Sequence, residues 1–259
     1  MRIARYTLGE DPTYGIVQGD PGEQWLAEIQ GDPLYQPIVF TGNRVSLEDA
    51  RLLAPVIPRS KVIGIGKNYA AHAAEMGGEA PAEPLMFLVP NTAVVGPGDP
   101  VVMPRQSNEV HYEGELAVVI SRMCKDVPLE RAGDVIFGYT CANDVTARDL
   151  QKSDGQWARA KGFDSFCPLG PWIETDLDTG DLSIVTRLDG EVVQDGRTAD
   201  MIHTVAALVA HVSAAFTLLP GDVILTGTPA GVGPVAHGQR VEVEIEGIGI
   251  LSNPFLRRD

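Results

Sequence analysis

Residues 108–120, "NEVHYEGELAVVI", decide how this chain is read. Extended backbone sends alternate side chains to opposite faces. Glu109, His111, Glu113, Glu115, Ala117 and Val119 therefore share one side, and Val110, Tyr112, Leu116, Val118 and Ile120 the other. One face is apolar and the other acidic. Carboxylates two residues apart on a strand stand roughly 7 Å from each other, and at an effective dielectric of about 20 they repel by about 2 kcal/mol. Such a strand needs a compensating partner.

The chain around it has 259 residues, 44% hydrophobic and 21% charged, enough to bury a large core as one domain or as a main domain with a small appendage. A formal charge of −15 disfavours nucleic acid and anionic membrane surfaces, which need a basic footprint. Small anionic ligands stay open, because a metal ion or a few Lys and Arg side chains make a pocket locally positive. The opening "MRIARYTLGEDP" has no apolar h-region and no apolar run approaches the roughly 18 residues of a membrane span, so a cytoplasmic protein is expected. Cys124, Cys141 and Cys167 are odd in number and widely spaced, which fits ordinary buried thiols better than disulfides or structural zinc.

Residues 1–57 alternate short extended pieces with Gly, Asp and Pro turns and then give a helical pattern at "SLEDARLLA", predicting a small β-rich N-terminal domain. Residues 58–259 form the main domain. There "KVIGIG" reads as a strand, "KNYAAHAAEMGG" as a short helix from near Asn68 stopped by Gly77 and Gly78, and "EAPAEP" as a candidate mobile lid. Several strand patterns follow, with Asp189-Gly190 marking a hairpin. The clearest long helix is "ADMIHTVAALVAHVSAAFTLL", and "RVEVEIEGIGIL" alternates Val241, Val243 and Ile245 against Glu242, Glu244 and Glu246. The chain shows neither internal repeats nor doubly wound alternation, so the expected class is α+β and β-dominated.

Two glycine-rich stretches fall short of known phosphate cradles. "GIGKNY" has Tyr69 where a dinucleotide fingerprint has its third glycine, and "GTPAGVG" (227–233) lacks the Lys-Ser/Thr pair of a P-loop, though its N–H groups can still receive a carboxylate. His203 and His211 fit structural roles. More informative is "GYTCANDVTARDLQ", a strand ending at Asn143-Asp144 that sets a third carboxylate at a strand terminus. A helix N-cap is the competing role for Asp144, and a solvated strand face the competing role for Glu113 and Glu115. Three carboxylates without a His or Cys cluster describe a hard-cation site, Mg2+ or Mn2+ before zinc. Its open positions suit a chelating 2-oxo acid. His72 and Glu75, in "HAAE", lie three residues apart on one side of a helical turn, where the carboxylate can orient the imidazole. An exposed helix with two unrelated polar residues is the alternative, as a surface lysine is for Lys161.

Six pieces in order, "GKNYAAHAAEM", "VHYEGELAVVI", "GYTCANDVTARDLQ", "AKGFD", "LDGEVVQDG" and "GDVILTGTPAGVGP", make residues 60–255 resemble the fumarylacetoacetate hydrolase superfamily. The resemblance implies a mixed β-sandwich roll, a homodimer, and a divalent cation (Mg2+ or Mn2+, with Ca2+ as a crystal substitute) held by Glu113, Glu115 and Asp144. It implies His72 and Glu75 as the water-activating dyad on a closing segment, and Lys161 beside the substrate oxygen. Thr228 and Gly227 belong to the carboxylate-receiving "TGTP" turn, with Gln151 in substrate contact and Arg148 supporting it. Where the family pattern has "FxKP", this chain has "FLVP", with Val89 at the lysine position. The activity implied is metal-dependent C–C hydrolysis of acylpyruvate-type substrates among 2-oxo and 2,4-dioxo acids and diacids. Oxaloacetate decarboxylation and isomerisation of 2-hydroxyhepta-2,4-diene-1,7-dioate are outcomes of the same pocket. A metal- and carboxylate-binding protein without turnover is the alternative of another class.

Overall fold

The computed structural model describes residues 1–257. Strand Gly114–Ile120 lies inside a twelve-stranded mixed sheet, antiparallel to Ile136–Asn143 on one side and to Val223–Leu225 on the other. All seven of its residues are buried, as expected of a central strand covered on both faces. Leu116, Val118 and Ile120 pack with Leu208, Val209 and Val212 of the helix Val205–Ala215 and with Val243 and Ile245 of a second sheet. Ala117 and Val119 face a different cluster that includes Val62, Val89 and Leu225.

The N-terminal strands Arg2–Thr7, Thr13–Gln18, Trp25–Ile29 and Phe40–Ser46 continue the large sheet, joined to it where Arg2 and Ile3 pair with Glu174 and Ile173. The second sheet has five strands, in the order Glu191–Arg197, Ser183–Leu188, Arg240–Ile245, Gly249–Arg257 and Val101–Met103. Asp189 and Gly190 turn its first hairpin with φ of +51° and +86°, the left-handed pair a tight hairpin requires. Val241, Val243 and Ile245 are buried as their alternation predicts. The result is the strand-dominated α+β fold expected. Among the described residues no helix is long and apolar enough to cross a membrane.

Three local expectations are corrected. "SLEDARLLA" is a turn followed by strand Arg51–Leu53, because this segment pairs with Arg5–Thr7 and buries Leu52 against the core, which outweighs helical propensity. The long helix is shortened to Val205–Ala215: Thr204 caps it by accepting from the Ala207 N–H, and the residues before it pair instead with the 68–69 segment. The opening stretch is also not one strand. Val110–His111 leaves the main sheet to pair with Thr146–Ala147, and Tyr112 N–H is taken by the Gly233 carbonyl. Glu109 consequently lies partly exposed, hydrogen-bonded to His111, away from Glu113 and Glu115.

Candidate active site

The break after Tyr112 turns Glu113 and Glu115 inward together. Gly114 separates them, and it must be glycine because a Cβ there would lie 2.1 Å from Thr186 Oγ1. Gln194 of the second sheet anchors this point. It accepts from Gly114 N–H (3.0 Å) and donates to Thr228 Oγ1 and the Pro229 carbonyl (both 2.8 Å). Asp144 follows the end of the neighbouring strand, and its N–H donates to the Glu113 carbonyl (2.9 Å). It caps no helix, since the next one, Arg148–Asp154, is preceded by Ala147. Oxygens of Glu113, Glu115 and Asp144 lie within 4.8 Å of one another, and all three residues are buried.

Two cations answer these three negative groups. Lys161, 2% exposed, donates to Asp144 Oδ2 (2.5 Å), Thr146 Oγ1 (2.8 Å) and Glu113 Oε2 (2.9 Å). All three of its N–H bonds are thereby committed. Arg148, also buried, donates to Glu113 Oε1 (2.5 Å) and Gln151 Oε1 (2.7 Å). Burial by itself would raise Glu113, but Lys161 and Arg148 override it and hold the carboxyl down at about 2. Burial raises Asp144 to about 6 despite Lys161, and raises Glu115 well above the usual range, with the charges of Asp144 and Glu113 adding to it.

This set fits a divalent cation. Asp144 Oδ1 is buried without a hydrogen-bond partner, and two side-chain cations leave one carboxylate charge unbalanced. Glu115 is aimed by Gly227, whose N–H donates to Oε2 at 2.7 Å. Gly227 has φ +99°, and a Cβ there would lie 2.7 Å from Asn68 Cβ, so no larger residue reproduces this turn.

Helix Ala70–Glu75 carries the second group. His72 is buried, and its Nδ1 lies 3.2 Å from Glu75 Oε2. Glu75 also accepts from Gly231 N–H (3.1 and 3.2 Å), fastening this helix to the glycine-rich turn. Residues 79–84, the predicted lid, join it to strand Leu85–Val89 without regular structure. One cleft of about 160 Å3 brings together His72, the three carboxylates, Lys161, Arg148, Gln151 and Thr228, with Ile65, Met76 and Trp157 among its apolar walls. Its volume is close to that of the ~150 Å3 engineered cavity that admits benzene. The enclosed part therefore takes a pyruvate-sized unit.

Some expected residues sit differently from the simple picture. Thr228 Oγ1 donates to the Gly114 carbonyl (2.9 Å) while accepting from Gln194, so this hydroxyl braces the site. Glu75 does not line the cleft and reaches it through His72. Val89 points into the apolar cluster beside Val62 and Val119, and is absent from the cleft walls. Gln194, Thr146 and Trp157 were not singled out by sequence. Only the hairpin containing Gln194 carried a signal, and that was for a turn.

Residues 61–256 match the fumarylacetoacetate (FAA) hydrolase C-terminal family, and residues 1–55 match the Rv2993c-like N-terminal family. Similar solved structures include 5-carboxymethyl-2-hydroxymuconate delta-isomerase from Mycobacterium smegmatis, 50% identical, covering 100% of both chains with a TM-score of 0.93. The 2-hydroxyhepta-2,4-diene-1,7-dioate isomerase from Mycobacterium marinum is also 50% identical, covering 100% of this chain and 99% of that one at 0.92. A maleylpyruvate hydrolase from Sphingobium sp. SYK-6, solved with manganese(II) and pyruvate, is 31% identical over 100% of both chains at 0.81.

Proposed function

The chain belongs to the fumarylacetoacetate hydrolase superfamily of enzymes, and on that premise we propose that it hydrolyses a carbon–carbon bond in acylpyruvate-type 2,4-dioxo acids with the help of a divalent metal. The observation that carries this reading is the joining of a carboxylate-oriented imidazole and a buried three-carboxylate cluster in one cleft. Glu113, Glu115 and Asp144 would hold Mg2+ or Mn2+, which supplies Lewis acidity toward the oxygens of a 2-oxo acid. The manganese and pyruvate of the maleylpyruvate hydrolase complex support that choice of ion and ligand.

The chain's own groups then have distinct tasks. Gln151 accepts from Arg148 through Oε1, so its amide N–H groups are left to hold the substrate carboxylate. His72, oriented through Nδ1 by Glu75, takes a proton from water at Nε2 as the oxygen adds to the C4 carbonyl. The C3–C4 bond breaks and its electron pair passes to the pyruvate fragment as an enolate, near the Lys161 charge. The His72 imidazolium returns its proton to C3, giving pyruvate and the second carboxylic acid. Lys161 acts by its field, because its N–H bonds are already committed to Glu113, Asp144 and Thr146.

The test is pyruvate release from acetylpyruvate and fumarylpyruvate with added MnCl2. Wild type should release it and His72→Ala should not; equal turnover by both would refute the assignment. The 50% identity to two chains named as isomerases favours a second reading, in which His72 only moves a proton between carbons. Loss of the dienol absorbance of 2-hydroxyhepta-2,4-diene-1,7-dioate without pyruvate release would select it. The proposal includes a cytoplasmic homodimer, which cell fractionation and light scattering test.

A further inference from the structure

Gly231 is held from two sides, and one of its holders has no part in the chemistry above. The glycine-rich turn is braced at its start by Gln194, which donates to Thr228 Oγ1 and the Pro229 carbonyl. At its far end it lies along residues 110–112, where Val235 N–H donates to the Val110 carbonyl (2.9 Å) and Tyr112 N–H to the Gly233 carbonyl (3.3 Å). Between these braces Gly231 sits at φ +103°, and a Cβ there would come 2.2 Å from the Val193 carbonyl oxygen. Only glycine fits, and glycine has the least conformational restraint of its own. Its N–H donates to Glu75 and its carbonyl accepts from Tyr112 Oη at 2.9 Å; among the described residues it has no other polar partner.

Both contacts bear on His72. The Glu75 side chain is 34% exposed, so water competes with His72 Nδ1 for its carboxylate. Gly231 N–H opposes that competition by holding the same oxygen, Oε2, that faces His72, each at 3.2 Å. The N–H aims correctly only while Gly231 is fixed, and Tyr112 supplies the fixing. The Tyr112 ring is buried in an apolar cluster with Val110, Val145 and Leu150, where phenylalanine would pack as well. Its hydroxyl has one partner among the described residues, the Gly231 carbonyl. Tyr112 also directly precedes Glu113 in the chain. We propose that Tyr112 is a positioning residue for the His72–Glu75 pair: its hydroxyl fixes Gly231, Gly231 N–H fixes Glu75, and the imidazole is thereby tied to the segment that carries Glu113. This rests on the reading of His72 and Glu75 as the water-activating pair.

The test is a double-mutant cycle of Tyr112→Phe and Glu75→Ala in the Mn2+-loaded protein, read as pyruvate release from acetylpyruvate and fumarylpyruvate, with Mn2+ affinity measured by calorimetry. Tyr112→Phe should lower kcat about fivefold to tenfold, the scale of one hydrogen bond, and leave KM and Mn2+ affinity unchanged. Unchanged Mn2+ affinity also shows that the site has folded. In the Glu75→Ala background the same substitution should change kcat by less than about twofold, because the group through which Tyr112 acts is gone. A residue that merely supports the fold would instead multiply its loss with that of Glu75→Ala. That multiplication, a Tyr112→Phe kcat within twofold of wild type, or a loss that falls on KM or Mn2+ affinity overturns the proposal while the dyad stands. Glu75→Ala with the kcat of wild type refutes the dyad, and the proposal with it.

Discussion

Replacing Lys161 by Met removes the one group that touches both Glu113 and Asp144. The ammonium is buried, and Asp144 Oδ2 loses its hydrogen-bond partner while Oδ1 already has none. Arg148 remains on Glu113 Oε1, so the damage concentrates on Asp144. Removing one member of a buried ion pair costs about 3–5 kcal/mol. For a chain of this size that lowers the melting temperature by on the order of 10 °C. The measurement is thermal denaturation of chelator-treated protein at pH 8; losing Lys161, which lowers Asp144, raises that carboxyl further, so part of the cost appears as proton uptake by Asp144. Mn2+ should then raise the melting temperature of Lys161→Met by more degrees than that of wild type, because the ion supplies the missing positive charge. A variant within about 1 kcal/mol of wild type without metal, or one that Mn2+ stabilises no more than wild type, would refute this account of how the carboxylates are balanced.

The same geometry predicts three further outcomes. Asp144 rises from 3.8 to about 6 in the fold, so its contribution to stability is fully present below about pH 4 and is lost as pH rises through about 6. Metal-free protein should therefore lose stability across that window, and Mn2+ affinity, followed by calorimetry, should weaken as pH falls below it. Glu113 has the opposite sign: held at about 2 against 4.5, its contribution is present above pH 4.5 and is lost on acidification toward 2, visible as an acid limb in a denaturation series. Glu75→Gln removes the charge that orients His72 while keeping the size of the side chain; kcat for pyruvate release should fall by about 100-fold with KM little changed.

How much of the structure was legible in the sequence depended on whether the signal was local. The central strand announced itself through "ELAVVI", because a strand covered on both faces reads as a continuous apolar run. Asp189-Gly190 and the Val241–Ile245 alternation were equally direct. The "SLEDARLLA" segment was misread because its partner, Arg5–Thr7, lies more than forty residues earlier, and no periodicity within nine residues reports such a pairing. The early end of the long helix has a similar cause, since Asn68 captures Ile202 and His203 from a distant loop. At the site, charge and spacing pointed to Glu113, Glu115 and Asp144, but not to their separation from Glu109, which depends on the break between Val110–His111 and Gly114–Ile120. Gln194 was illegible for the same reason: its amide matters only because the second sheet delivers it to Gly114 and Thr228.

The central claim is that Glu113, Glu115 and Asp144 jointly hold one hard cation. Anomalous diffraction from crystals soaked in MnCl2 tests it most directly. The account predicts a single strong manganese peak in contact with oxygens of all three carboxylates, lost in Asp144→Asn. A peak elsewhere in the molecule, or none between these residues at saturating Mn2+, would contradict it.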